Sequence, residues 1–120
     1  MFRTRLALLL VLGIASFSVA SIADAAKIEN CEKRGPSKST GDFDHFRDAK
    51  VAAAAGRGQV FSNNERTLPK AGKNQSYYEY DLGQDGSGGR GARRAVLLVQ
   101  KGKVLVSFFT QDHYRSFCKI

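Results

Sequence analysis

Residues 92–109 read ARRAVLLVQKGKVLVSFF, and this stretch decides the fold. Two runs rich in valine, leucine and phenylalanine, Ala92 to Val99 and Lys103 to Phe109, meet at Lys101-Gly102. Apolar runs of this length around a two-residue link containing glycine are the strands of a β-hairpin. Working outward, Ser76 to Leu82 alternates in character, with Tyr77, Glu79 and Asp81 on one face and Tyr78, Tyr80 and Leu82 on the other. Gln59 to Ser62 reads as a short strand ahead of a polar loop, Asn63 to Arg66, that Leu68-Pro69 closes. His113 to Lys119 reads as a last short strand. Upstream of all of these, Asp42 can cap a helix running to Ala55. Phe43, Phe46, Ala49 and Ala53 fall at helical spacing along it, and Gly56 ends it. Asp42 and Asp44 suit its positive end, and His45 lies among charges and is read as exposed. One helix followed by consecutive strands predicts an α+β domain, an N-terminal helix packed on an antiparallel β-sheet.

Residues 1–25 stand apart from this pattern. Arg3 and Arg5 precede an apolar run from Leu6 to Val19, and Ala23-Asp24-Ala25 places small residues where a signal peptidase reads. The stretch is predicted to be a secretory signal peptide, and residues 26–120 the mature domain. A membrane anchor is the competing reading, but the run is short against the ~20 residues of a span. A second small-residue site follows Ala20. The leader takes two arginines and one aspartate with it, so a net charge of +8 becomes +7. That charge favours a polyanionic partner, nucleic acid or a membrane surface, without choosing between them.

Secretion makes a disulfide between the two cysteines, Cys31 and Cys118, the expected state. It would close a loop of nearly the whole mature domain, worth roughly 4–5 kcal/mol in the chain-entropy description. Two cysteines and two histidines show no zinc-ligand spacing. Residues 86–91, GSGGRG, match the G-x-G-x-x-G fingerprint of dinucleotide binding. That motif needs a helix after it, and the strand-like Ala95 to Val99 follows instead, so the glycines are read as a loop that delivers Arg90. No metal or organic cofactor is implied.

Three kinds of side chain remain for chemistry. Glu79 is a carboxylate in an aromatic strand, His113 an imidazole near the carboxyl end, and Arg90 and Arg94 are guanidiniums of one cluster with Arg93. Metal-free cleavage of an RNA phosphodiester needs this set. A base takes the 2′-OH proton, an acid protonates the departing 5′-oxygen, and fixed cations hold the charge on phosphorus. Each residue also has a plainer reading: an exposed strand glutamate, a packed or surface histidine, a solvated basic face.

In order along the chain, five stretches resemble the barnase-type microbial guanyl-specific ribonucleases: 60–65 (VFSNNE), Leu68-Pro69, Tyr78-Glu79-Tyr80, 90–94 (RGARR) and 110–117 (TQDHYRSF). The likeness spans residues 59–119 and is most specific in the D-H-Y-x-x-F ending. It implies the microbial ribonuclease fold, with Glu79 as general base, His113 as general acid, and Arg90 and Arg94 as phosphate clamps. Glu65 would read guanine through N1–H and the exocyclic amine, while backbone N–H groups near Asn63 and Asn64 donate to O6. Adenine would leave those groups unpaired. Phe61, Ser62 and Tyr114 complete the implied base site, with a core role for Phe61 as the alternative. Two departures stand out: Asn64 where arginine is frequent in the family, and no identifiable helix lysine at the scissile phosphate.

The resemblance therefore implies a secreted endoribonuclease that cuts single-stranded RNA 3′ of guanosine by way of a 2′,3′-cyclic phosphate. It further implies a small acidic inhibitor of the barstar kind in the producing cell. Two competitors share the basic charge, a non-catalytic RNA-binding module and a cationic membrane-active protein. The second would want a basic amphipathic helix, whereas the predicted helix carries Asp42, Asp44 and Asp48.

Overall fold

The computed structural model describes residues 27–32, 35–36, 41–83 and 91–120. One helix, α1 (Asp42–Ala54), precedes five strands: β1 (Gln59–Phe61), β2 (Gln75–Asp81), β3 (Arg94–Gln100), β4 (Lys103–Thr110) and β5 (Cys118–Lys119). The strands form one sheet in the order of the chain, each antiparallel to its neighbours. The domain is α+β, a helix on an antiparallel sheet.

The hairpin at Lys101-Gly102 forms as its sequence predicts. Both residues have positive φ (47° and 75°), the combination of a type I′ turn, whose twist matches that of the flanking strands. Strand β3 is central, and Arg94 through Val99 are all buried, which is why it reads as an unbroken apolar run rather than an alternating one.

The sheet separates two cores. On the helix side, Phe46, Ala49 and Ala53 pack on Leu82, Ala95, Leu97, Val99 and Phe109, joined by Tyr78 and Tyr80. On the other side, Leu68, Tyr77, Val96, Leu98 and Phe108 are buried under residues that include Phe61, Tyr114 and Phe117. The predicted alternation of β2 holds: Tyr78, Tyr80 and Leu82 face the helix, and Tyr77 faces away. The Tyr80 hydroxyl donates to the carbonyl of Arg57. Gly58 lies under the Tyr80 ring, and a Cβ there would come within 2.5 Å of that hydroxyl oxygen.

Two expectations change. Gly41, in the left-handed region, is the N-cap of α1, and no side chain caps the helix. Asp42 is instead the first helical residue, 1% exposed, and its carboxylate accepts from Arg93 at 3.0 Å. This pairing turns Asp42 inward with Phe46, Ala49 and Ala53, and leaves Phe43 half-exposed rather than in the core. The final strand is also shorter than predicted. Only Cys118–Lys119 pair with β4, because His113 and Tyr114 adopt left-handed backbone that no strand accommodates.

Cys31 and Cys118 form the expected disulfide, with a sequence separation of 87. The stretch around Cys31 runs beside β5: Cys31 N–H donates to Lys119 O and Lys119 N–H to Glu29 O, each at 2.8 Å. Among the described residues, no helix is long and apolar enough to cross a membrane.

Candidate active site

The face of the sheet turned away from α1 carries the polar residues in cross-strand rows. Asp81, Arg94 and Thr110 face one another across β2, β3 and β4. Glu79, Val96 and Phe108 form the next row, and Phe61, Tyr77, Leu98 and Val106 the one beyond. Strand alternation explains why adjacent arginines part company. Arg94 shares the face of Glu79, whereas Arg93 reaches the opposite side, where it donates to Asp42 and to the carbonyl of Leu82, each at 3.0 Å. Arg93 is thus a structural tie between α1 and the end of β2.

Arg94 is 2% exposed. Its Nη1 donates to the carbonyls of Gly91 (2.9 Å) and Arg93 (2.8 Å), and its Nε lies 2.9 Å from Asp81 Oδ1. A guanidinium held on three sides keeps its orientation without further ordering, which suits a fixed donor to a phosphate. Sequence reasoning missed Asp81 as its partner. The signal was present, since Asp81 has the parity of Glu79 on β2.

Tyr114 feels both the carboxylate and the cation. Burial pushes its hydroxyl above the ordinary tyrosine range, and the charge of Glu79 and a hydrogen bond to it push further. The charge of Arg94 and a hydrogen bond from it act in the opposite direction. The Tyr114 ring stacks on Phe61 (5.2 Å between centroids, 23° between planes), and Arg94 Cζ lies 6.0 Å from its centre. Phe61 also presents edge contacts to Tyr77 and Phe117, so it anchors Tyr114 as part of the apolar layer. His113 is exposed and next to it, with ring centroids 4.9 Å apart. Glu79, Arg94, Tyr114 and His113 thus share one edge of the sheet face.

His113 (φ 55°) and Tyr114 (φ 71°) are consecutive non-glycine residues in the left-handed region. Such conformations cost of order 1–3 kcal/mol each and persist only where surrounding contacts impose them. Here the backbone N–H of His113 donates to Ala92 O at 3.0 Å, and that of Tyr114 to Thr110 Oγ1 at 3.1 Å. Asp112 braces the same turn. Burial raises its carboxyl, but hydrogen bonds from Ser116 and Thr110 outweigh that effect and hold it below the usual range.

The predicted base-reading loop is built around Asn63. Its side chain donates to Leu68 O (2.7 Å) and Pro69 O (3.3 Å) and accepts from Leu68 N–H (3.1 Å). That clamp bends residues 63–69 into a closed turn, in which Asn63 and Arg66 both have positive φ. The Tyr77 hydroxyl fastens the loop from below by donating to Pro69 O at 2.7 Å. Asn64 and Glu65 are left exposed at the tip. An open cleft of about 460 Å³ lies beside the loop, lined in part by Ser62, Asn63, Asn64, Arg66, Lys70 and Gln75. Glu65, Glu79, His113 and Tyr114 do not line it, so this cavity is not where the acid and base converge. Arg90, predicted as a second clamp, lies outside the described residues, as do residues 86–89 of the glycine-rich stretch. That stretch is followed by β3 and not by a helix, as its rejection as a dinucleotide fingerprint requires. Among the described residues, no three His, Cys, Asp or Glu side chains are grouped to hold a metal ion.

No curated protein matches the chain. Among solved structures, it is similar to ribonuclease Sa2, described in complexes with mononucleotides. The match has 28% identity over 64% of this chain and 82% of that one, with a TM-score of 0.46. A family model described as ribonuclease matches residues 14–120. That span contains α1, all five strands and every residue of the site, and the chain therefore belongs to the family its motifs resemble, that of the barnase-type microbial ribonucleases.

Proposed function

We propose that the protein is a secreted endoribonuclease that cleaves single-stranded RNA on the 3′ side of guanosine by metal-free acid–base catalysis. RNA cleavage follows from the family. The finer reading rests on one observation: Glu79 and Arg94 lie one row apart on adjacent strands of the same sheet face, with the Tyr114 ring beside Arg94 and the His113 ring against that tyrosine.

The Glu79 carboxylate takes the proton of the 2′-OH, and the freed oxygen attacks the adjacent phosphorus. Arg94, already oriented by Asp81 and two carbonyls, stabilises the charge gained by the phosphoryl oxygens. Protonated His113 gives its proton to the departing 5′-oxygen, leaving a 2′,3′-cyclic phosphate and a 5′-hydroxyl. In the second step neutral His113 takes a proton from water, the resulting hydroxide attacks phosphorus, and Glu79 returns its proton to the 2′-oxygen. The product is a 3′-phosphate, and both groups regain their starting states. DNA is not a substrate, because it lacks the attacking hydroxyl.

Guanine selection falls to the loop that Asn63 closes, with the exposed Glu65 carboxylate accepting from N1–H and the exocyclic amine and backbone N–H groups at Asn63 and Asn64 donating to O6. Tyr114 lines the base and phosphate sides together, and Arg90 adds a second cation. A barstar-like acidic inhibitor in the producing cell would dock over this basic cleft. The disulfide and the leader reading support secretion.

Digestion of a defined single-stranded RNA by residues 26–120, with chelator present and 3′ ends mapped, tests the reaction, its metal-free course and its base preference. Cuts after guanosine ending in cyclic phosphate are expected. Cuts without base preference would remove Glu65 from its role, and folded, oxidised protein that binds RNA without cutting it would overturn the enzyme reading.

A further inference from the structure

We propose that Asp112 is a positioning residue of the reaction: with Thr110 and Ser116 it clasps the turn that presents His113 and Tyr114, and so fixes the acid relative to Glu79. The inference rests on the roles proposed above for Glu79 and His113.

The clasp spans both ends of the turn. Thr110 closes β4, is 1% exposed, and lies directly opposite Arg94. Its hydroxyl donates to Asp112 Oδ1 at 2.9 Å and accepts from the backbone N–H groups of Asp112 (3.4 Å) and Tyr114 (3.1 Å). On the far side, Asp112 Oδ1 accepts from Ser116 N–H at 2.9 Å and Oδ2 from the Ser116 hydroxyl at 2.5 Å. One carboxylate therefore grips the chain before and after the two left-handed residues, using both of its oxygens. Between the two grips, His113 N–H donates to Ala92 O, and the carbonyls on either side of Ala92, those of Gly91 and Arg93, hold Arg94. The acid and the phosphate clamp are thus hung from the same short segment.

Released from this clasp, His113 and Tyr114 have ordinary right-handed and extended conformations open to them, which need no compensating contacts. Either would swing the imidazole away from the Glu79 side of the face. Misplacement of a catalytic group by about 1 Å can cost about 10²-fold in rate. The hydrogen bonds of Asp112 go to Thr110 and Ser116 and not to the Asn63 loop, so the larger loss belongs in kcat through the displaced acid, with a smaller effect on KM through Tyr114.

The test is steady-state kinetics on a guanylyl dinucleotide, with folding of each variant checked by denaturant titration under the same conditions. Asp112→Asn has one acceptor oxygen in place of two. It is expected to lower kcat about 10–100-fold with KM within about threefold of wild type. Thr110→Val removes the hydroxyl and is expected to do the same, whereas Thr110→Ser keeps it and should stay within about threefold of wild-type kcat. Should Asp112→Asn fail to fold, the Thr110 pair carries the test alone. Wild-type kcat in folded Asp112→Asn and Thr110→Val, or equal damage in Thr110→Ser and Thr110→Val, overturns the inference while leaving the acid assignment intact. His113→Ala separates the two levels. Its inactivity is the expected result, and full activity would overturn the assignment of the acid and the positioning role with it.

Discussion

Arg94 and Thr110 are direct cross-strand partners on β3 and β4, so the buried guanidinium and the hydroxyl that starts the His113 turn sit in one register of the sheet. Asp81 completes the row on β2. The sheet thereby sets the spacing between the cation and the turn before any loop contact is made. Position along a strand and parity across it place Glu79 one row away on the same face.

The first expectation concerns the proton-transfer pair. Glu79→Gln and His113→Ala should each lower kcat for RNA cleavage ~10²–10⁴-fold while leaving the unfolding midpoint nearly unchanged, since both side chains reach solvent. A double variant no worse than the more damaged single variant would show the two acting as a unit.

Neighbouring arginines should give opposite phenotypes. Arg93→Ala removes the guanidinium that pairs with the buried Asp42 carboxylate and is expected to lower stability by about 2 kcal/mol, less than the 3–5 of a fully buried pair because Arg93 is 27% exposed. Its kcat should remain near wild type. Arg94→Lys keeps the charge but loses the fork, and is expected to lower kcat at least about tenfold. Denaturant titration and kinetics on the same two proteins check both.

Removing the Cys31–Cys118 bridge, by reduction or by a double Cys→Ala change, should lower stability by about 2–5 kcal/mol, the range for a native bridge closing a long loop. The unfolding midpoint of oxidised and reduced protein measures this directly.

Alkaline stability should depend on Tyr77. Burial pushes its hydroxyl from 10 up to about 12, so the folded chain holds that proton more tightly than the unfolded chain does. The contribution is complete below the unfolded value and is lost as pH rises through about 12. Tyr77→Phe should flatten the fall in stability over this window, at a cost of about 1 kcal/mol near neutrality from the lost bond to Pro69 O.

Much of the architecture was legible in residue pattern, because its signals are local. The Lys101-Gly102 turn, the alternation of β2 and the unbroken apolar run of β3 each follow from neighbours in the chain. The errors arose where distant residues override local preference. Asp42 has the composition of a cap, but Arg93, 51 positions away, claims its carboxylate and turns Phe43 outward. His113 and Tyr114 sit in an apparent strand, and beyond the mild tolerance of histidine for it nothing in their chemistry announces left-handed backbone, which the Thr110–Asp112–Ser116 contacts impose. The same limit hid Asp112, whose partners are set by turn geometry, whereas the face of Asp81 was legible from its parity with Glu79 and only its pairing with Arg94 needed the cross-strand register.

The seam between residues 29–31 and β5 has a kinetic meaning. Contacts between positions so far apart in sequence are slow to form, since the closure of a long loop must precede the gain from pairing. The hairpins bearing Glu79 and Arg94 join nearest neighbours, whereas the His113 turn is anchored on its far side by a two-residue strand that the distant seam secures. During refolding from the reduced chain, in which the Cys31–Cys118 bridge does not hold the seam together, sheet structure should therefore appear before enzymatic competence, and recovery of activity would mark the closing event of assembly.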